Sequence, residues 1–287
     1  MPAMAYVLPV SSAANPREMI KAVTIDFWGT LLLDSPAADE RSRQQRLSGL
    51  YSVLDAMGIP VSREALDRAY GESGRRLERR WRVMRDVSVN KTVEGILRTV
   101  DARLPESLGE GAMAELVRVY ATPPLAVPPT FDPGAATALA ELRRRGLSVG
   151  LVSNTMRTPG AVLRKILAAR GLLDFFTALT FSDERGIRKP DPAIFALTRW
   201  QMGAGPGEAV HVGDDPVLDV AGAKAAGMRV IQMATDDMEP AEEQPDAVIT
   251  RLSELPATLE RLEALGSSAD ARPARAWRAG SWLGQTA

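Results

Sequence analysis

Cysteine is missing from this sequence altogether, and histidine occurs once, as His211. The first absence excludes disulfides, thiolate nucleophiles and Cys-ligated zinc. The second excludes metal sites built from several histidines. His211 lies in the apolar run "AVHVG" (209–213), where a histidine satisfied inside a strand is expected rather than a general base. Aromatic residues make up only 5% of the chain, and no apolar run approaches the ~20 residues that a membrane span requires. Neither sign of charge dominates: the formal net charge is −1, which gives no pull toward nucleic acid or an anionic membrane. No Lys or Arg precedes Arg17, which argues against a signal peptide and predicts a cytoplasmic protein. What remains is ordinary for a globular protein, with 45% hydrophobic and 25% charged residues.

Short apolar runs alternate with helical patterns. "KAVTI" (21–25), "LSVGLV" (147–152), "ALTF" (178–181), "AVHVG" (209–213), "MRVIQM" (228–233) and "DAVI" (246–249) read as buried strands. Helical spacing fills about 134–145, 159–170, 192–202 and 216–226. Such alternation predicts an α/β fold with a Rossmann-like parallel sheet. The stretch 36–121 breaks the rhythm with helix alone, as in the rows Leu47, Leu50, Tyr51, Leu54, Met57 and Val93, Ile96, Leu97, Val100, Leu104. The run "TPPLAVPPTFDPG" (122–134), with five prolines, follows it as a linker. The predicted organisation is an N-terminal extension (1–20), an α/β core (21–35 and 122–265), an inserted four-helix cap (36–121) and a tail without periodicity (266–287) expected to be disordered. Trp277 and Trp282 in that tail are candidates for docking on the core.

In a parallel sheet, ligands bind at the carboxyl ends of the strands. Here those ends carry one kind of chemistry. The first strand ends at Asp26, the second at Ser153-Asn154, and the third leads to "SDERGIRKPDP" with Lys189. The fourth ends in "GDDPVLD", with Asp214, Asp215 and Asp219. Carboxylates gathered this closely repel unless a proton or cation intervenes. A hard cation that keeps several waters, such as Mg²⁺, suits one or two of them. Asp26 could then attack phosphorus through an aspartyl-phosphate. Lys189 and Mg²⁺ would neutralise the phosphoryl oxygens, Ser153 and Asn154 would donate hydrogen bonds, and Gly29 would let the backbone approach. Taken singly, Ser153-Asn154 and "GDDP" are ordinary turn or cap residues and Lys189 an ordinary surface charge. Their succession along four strand ends is what carries the signal.

The motifs "TIDFWGTLL" (24–32), "LVSNT" (151–155), "RKPDPAIF" (188–195) and "VHVGDDPVLDVAGAKAAGM" (210–228) resemble, in order, those of the haloacid-dehalogenase (HAD) superfamily of hydrolases with a helical cap. The resemblance implies that Asp26 is the nucleophile, Ser153 a phosphoryl binder and Lys189 its charge partner. It implies Mg²⁺ bound by Asp26, the Trp28 carbonyl and Asp214 or Asp215. Trp28, Gly29, Thr30 and Asn154 fall where the family contacts a small anionic substrate. At Trp28 the pattern departs from the family phosphatases, which usually place a second Asp there as general acid. Indole cannot take that role. The family's 2-haloacid dehalogenases carry an aromatic near this position and a Ser-Asn pair, but need no metal and lack the paired acids. Because Asp214 and Asp215 without a cation would repel a haloacid, a Mg²⁺-dependent phosphatase leads. A dehalogenase and a catalytically impaired binding module are the alternatives.

The stretch "GRRLERRWRVMR" (74–85) sets Arg75, Arg76, Arg79, Arg80, Arg82 and Arg85 close together. A solvated helix face is the first expectation. A guanidinium reaching the core to clamp an anionic substrate is the second, with Trp81 either core or pocket wall.

Overall fold

The computed structural model describes residues 19–33, 36–126, 129–234 and 243–266. Nearly all of the N-terminal extension (1–20) and of the tail (266–287), including Trp277 and Trp282, lies outside the described residues.

Six strands form one parallel sheet: β1 (Ala22–Ile25), β4 (Ser148–Ser153), β5 (Ala178–Phe181), β6 (Ala209–Gly213), β7 (Arg229–Met233) and β8 (Ala247–Ile249). Their order in space is β5-β4-β1-β6-β7-β8, so the first strand is central and pairs with β4 on one side and β6 on the other. The chain order reverses at β1, the switch point where open α/β sheets bind ligands. Asp26 is the residue that follows this strand, and its backbone N–H donates to Val212 O at 2.9 Å.

Alternation of side chains along the strands sorts the core into two layers. Val23 and Ile25 join Val149, Leu151, Val210 and Val212 in one cluster, covered by helices α7 (Ala135–Arg144), α8 (Gly160–Ala169) and α12 (Leu255–Gly266). Ala22 joins Val152, Ala209 and Val230 in the other, beneath α10 (Pro192–Gln201) and α11 (Gly222–Ala225).

Between β1 and the rest of the sheet comes the helical insertion: α1 (Pro36–Ala56), α2 (Arg63–Trp81), α3 (Val89–Val100), the single turn α4 (Leu104–Ser107) and α5 (Glu110–Ala121). Ser62 and Ser88 cap α2 and α3, each accepting a backbone N–H with its hydroxyl. The predicted apolar rows face inward: Leu50, Leu54, Val93, Ile96 and Leu97 are fully buried. Met57 departs from its row. The helix closes at Ala56, and Met57 in the following turn is exposed. Most buried apolar residues of the insertion belong to the same cluster as Val23 and Ile25, so the insertion shares a core with one face of the sheet. A two-stranded antiparallel pair, β2 (Leu32–Leu33) with β3 (Thr130–Phe131), ties the two chain crossings together at its base. After α5 the chain makes one more helical turn, α6 (Pro123–Ala126), and a turn α9 (Ser182–Arg185) follows β5.

Candidate active site

The apolar residues of β1 place Asp26 5% exposed at the sheet's end, where it has one cationic partner. Lys189 Nζ stands 2.6 Å from Asp26 Oδ1 and 2.6 Å from Asp219 Oδ1. The contact with Asp26 is a salt bridge that holds Oδ1 against the ammonium. Lys189 is itself 2% exposed. Asn154 fixes its backbone: the side chain accepts from Lys189 N at 2.9 Å and donates to Lys189 O at 3.2 Å. Asn154, expected to meet substrate, is therefore committed to holding the lysine.

The acidic motif divides its labour differently from the sequence expectation. Asp215, the residue before Pro216, turns its carboxylate onto the N–H groups of Val217 and Leu218, both at 2.8 Å, and caps the wide π-type turn Pro216–Ala221. It stands outside the acidic cluster. Asp219, one turn later, faces inward. Its Oδ1 meets Lys189 and His211 Nε2 (2.9 Å), and its Oδ2 accepts from Asp215 N at 3.1 Å. A side chain on Gly213 would collide with this carboxylate, so the motif's glycine is what lets the turn fold back onto the strand. His211 completes the arrangement as a strand histidine with both ring nitrogens occupied, Nδ1 by Thr24 Oγ1 at 2.9 Å.

Asp214 remains free to face Asp26. Thr30 Oγ1 donates to it at 3.3 Å, so Thr30 orients an acid. Gly29 has φ +73°, and a Cβ there would run into the Asp214 carboxylate. Asp26, Asp214 and Asp219 each offer an oxygen within 4.8 Å of the other two. Ser153 is fully buried at the end of β4, with its hydroxyl unpartnered. The Trp28 indole packs edge-on to Phe27 at 5.1 Å between centroids, and its N–H is buried without a partner.

The electrostatics follow from this geometry. Three carboxylates face one ammonium, because burial lowers the pKa of His211 and keeps it neutral. Burial first, then Asp219, pushes Asp214 up to about 6. Asp26 is raised as well, by burial and by the charges of Asp219 and Asp214 against the pull of Lys189. Burial works against charge on Lys189, but Asp219 and Asp26 outweigh it and hold its pKa above the usual range. Asp219 is the acid that Lys189 and His211 keep ionised against its burial, at about 2. The pocket thus carries more negative charge than it neutralises, which is the condition a divalent cation relieves.

The arginine-rich stretch splits. Arg75, Arg79, Arg80 and Arg82 are exposed, as a solvated face requires. Arg76 ties α2 to α3 through Gly95 O (2.8 Å) and Thr99 Oγ1 (2.7 Å), and Arg85 pairs with Asp191 at 3.1 Å. The arginines between insertion and sheet are others. Arg46 donates to Tyr120 O and Thr158 Oγ1, each at 3.1 Å. Arg157 donates to Ser73 Oγ at 3.0 Å and Tyr120 Oη at 2.6 Å. Arg188, 4% exposed, lies over Trp81, and burial lowers its pKa to about 10. None of the three belongs to the run at 74–85.

A family model for "haloacid dehalogenase-like hydrolase" matches residues 20–227. The chain belongs to this family. Among HAD relatives, it is 30% identical to the phosphoglycolate phosphatase of Rhodospirillum rubrum, over 75% of this chain and 80% of that protein. It is also 30% identical to the glyceraldehyde 3-phosphate phosphatase of Methanopyrus kandleri, over 83% and 96%. A shorter match of 42% identity joins it to the phosphoserine phosphatase of Thermus thermophilus, over 34% of this chain and 39% of that protein. Among solved structures, a 2-haloacid dehalogenase from Pseudomonas syringae superposes with TM-score 0.63 at 25% identity, covering 85% of this chain and all of that one. A HAD phosphatase from Thermococcus onnurineus gives 0.56 at 27%, covering 84% and 98%. The chain is therefore a HAD-like hydrolase with an α/β core. Among the described residues, no helix is long and apolar enough to cross a membrane.

Proposed function

We propose that this HAD hydrolase is a Mg²⁺-dependent phosphatase acting on a small phosphorylated substrate, with Asp26 as nucleophile and residues 36–121 as the cap over its site. The observation that carries this reading is the charge imbalance at the end of β1, where two buried carboxylates and the half-buried Asp214 meet one lysine. A dianionic phosphate cannot enter such a pocket uncompensated. The donor set fits Mg²⁺, which Asp26 and Asp214 would hold with the Trp28 carbonyl, while both oxygens of Asp219 are engaged by its neighbours. When bound, the ion would supply Lewis-acid neutralisation of the phosphoryl oxygens.

The chain's own residues account for the rest. An Asp26 carboxylate oxygen attacks phosphorus, the bond from phosphorus to the leaving oxygen breaks, and water then hydrolyses the aspartyl-phosphate to release phosphate and restore Asp26. Lys189 favours the ionised form of Asp26 against its burial and balances charge as it develops, held in place by Asn154 and Asp219. The unpartnered Ser153 hydroxyl is available to donate to a phosphoryl oxygen. Trp28 supplies no proton to the leaving group. Asp26→Asn should abolish phosphate release while the fold survives in a thermal melt; substantial residual turnover would mean that another group is the nucleophile.

A second reading is displacement of halide from carbon by Asp26. Trp28 favours it, because halide departs without a proton, and so does the likeness to the P. syringae 2-haloacid dehalogenase. The uncompensated acids weigh against it.

A further inference from the structure

Arg188 and Lys189 are neighbours in sequence, yet their side chains serve different surroundings. Lys189 reaches the acidic cluster. Arg188 lays its guanidinium on Trp81 of the insertion, Cζ 4.2 Å from the ring centroid, and points Nη2 at Met156 Sδ, 3.8 Å away. Its Nη1 is buried and has no hydrogen-bond partner. Only the longer-range charges of Asp86 and Asp215 act on it, and both acids are spent elsewhere. Asp86 accepts from Ser182 Oγ at 2.6 Å and Val87 N at 2.8 Å, and Asp215 caps its own turn. A buried guanidinium facing a thioether and an indole lacks the paired anion that such a charge requires.

The backbone around it is strained. Met84 (φ +54°) and Met156 (φ +53°) are the non-glycine residues in the left-handed region among the described residues. Both touch Arg188, Met84 through its carbonyl, which accepts Arg188 N at 3.3 Å, and Met156 through its sulfur. Strain of this kind collects at ligand clamps. Met84 lies between α2 and α3 of the insertion and Met156 follows Ser153-Asn154-Thr155 at the end of β4, so the clamp bridges insertion and core.

We infer that Arg188 is the specificity-determining residue of the substrate site: its free Nη1 edge takes a second anionic group, a carboxylate or a second phosphate, on the part of the substrate that leaves. Guanidinium geometry matches the paired oxygens of both groups. The charge of Asp215, the neighbour of Asp214, acts on Arg188, which puts the guanidinium beside the acidic motif. This inference rests on the phosphatase reading for the identity of the first anion.

The test compares the Mg²⁺-loaded full-length protein on phosphoglycolate, ethylene glycol bisphosphate and ethyl phosphate, the last of which lacks a second charge. A charge-assisted bidentate contact predicts kcat/KM about 10–100-fold higher for at least one doubly charged ester than for ethyl phosphate, and which one wins tells carboxylate from phosphate. Arg188→Met should erase that preference while leaving ethyl phosphate turnover within about threefold, with Arg188→Lys between the two. Calorimetry with phosphonoacetate against ethylphosphonate reads the same preference as affinity, without turnover. Equal kcat/KM on all three esters in the wild type overturns the inference even if no variant folds, as does an equal loss on all three in Arg188→Met. If none of these alkyl esters is hydrolysed, release of phosphate from an aryl phosphate decides the phosphatase reading, and the calorimetric ratio still decides for or against Arg188.

Discussion

Two residues beyond Asp26, the indole of Trp28 holds a buried N–H that no protein group accepts. Indole can hydrogen-bond a leaving group but cannot protonate it, and a positioned acid contributes ~10²–10⁴-fold to such reactions. The wild-type enzyme should therefore turn over aryl and acyl phosphates, whose leaving groups depart unprotonated, far better than alkyl phosphates. Trp28→Asp should raise the alkyl-to-aryl ratio; a ratio unchanged by the substitution would locate the proton donor elsewhere. Asp214 gives a second prediction at this scale. Its carboxyl, pushed up to about 6 by burial first and Asp219 next, must shed its proton to bind a cation. Mg²⁺ affinity measured by calorimetry should fall as the pH drops through about 6, by up to about tenfold per unit. An affinity that stays constant down to about pH 5 would remove Asp214 from the metal site.

At the scale of elements, the π-type turn after β6 decides what each acid of "GDDPVLD" can do. π-Turns recur at functional sites because the extra residue re-aims side chains. Here the turn gives Asp215 to the cap and Asp219 to Lys189, and leaves Asp214 toward Asp26. Asp215→Ala should cost ~0.5–2 kcal/mol in chemical denaturation, as the loss of a cap does, with Mg²⁺ affinity nearly unchanged. Asp214→Asn should do the reverse, losing Mg²⁺ while relieving a buried repulsion in the apo protein. The opposite pattern would move the ligand to Asp215. Much of this layer was legible beforehand. The six strands begin and end within a residue or so of the apolar runs, because strands buried on both faces must be continuously apolar. The β2–β3 pair was not, since two residues pair with two others about a hundred positions away and leave no local pattern. Asp215 as a cap was readable in principle, because Asp followed by Pro is a helix-start signature. Asn154 was not: its two bonds to the Lys189 backbone depend on how β4 and the loop after β5 meet in space. Arg46, Arg157 and Arg188 escaped for the same reason, while the conspicuous arginine run largely faces solvent.

The whole molecule joins two bodies through one apolar core, so the insertion is packed as part of the fold and its polar seams can hold defined groups against the sheet. Asp86 with Ser182, Arg46 with Thr158 and Arg157 with Tyr120 are such seams, and their hydrogen bonds are satisfied. Ser153 Oγ, Trp28 Nε1 and Arg188 Nη1 lack such partners at strand ends or in the seam beside them, and Arg199 Nε lacks one on α10. Unmade hydrogen bonds in such places are costly unless a ligand completes them. The central claim is that the ligand set is a phosphate ester together with Mg²⁺. A parallel assay of phosphate and halide release, each with Mg²⁺ and with a chelator, tests it most directly. Phosphate release that needs Mg²⁺, with no halide released from 2-haloacids, is the predicted result; halide release that persists in chelator, with no phosphate released, would contradict it.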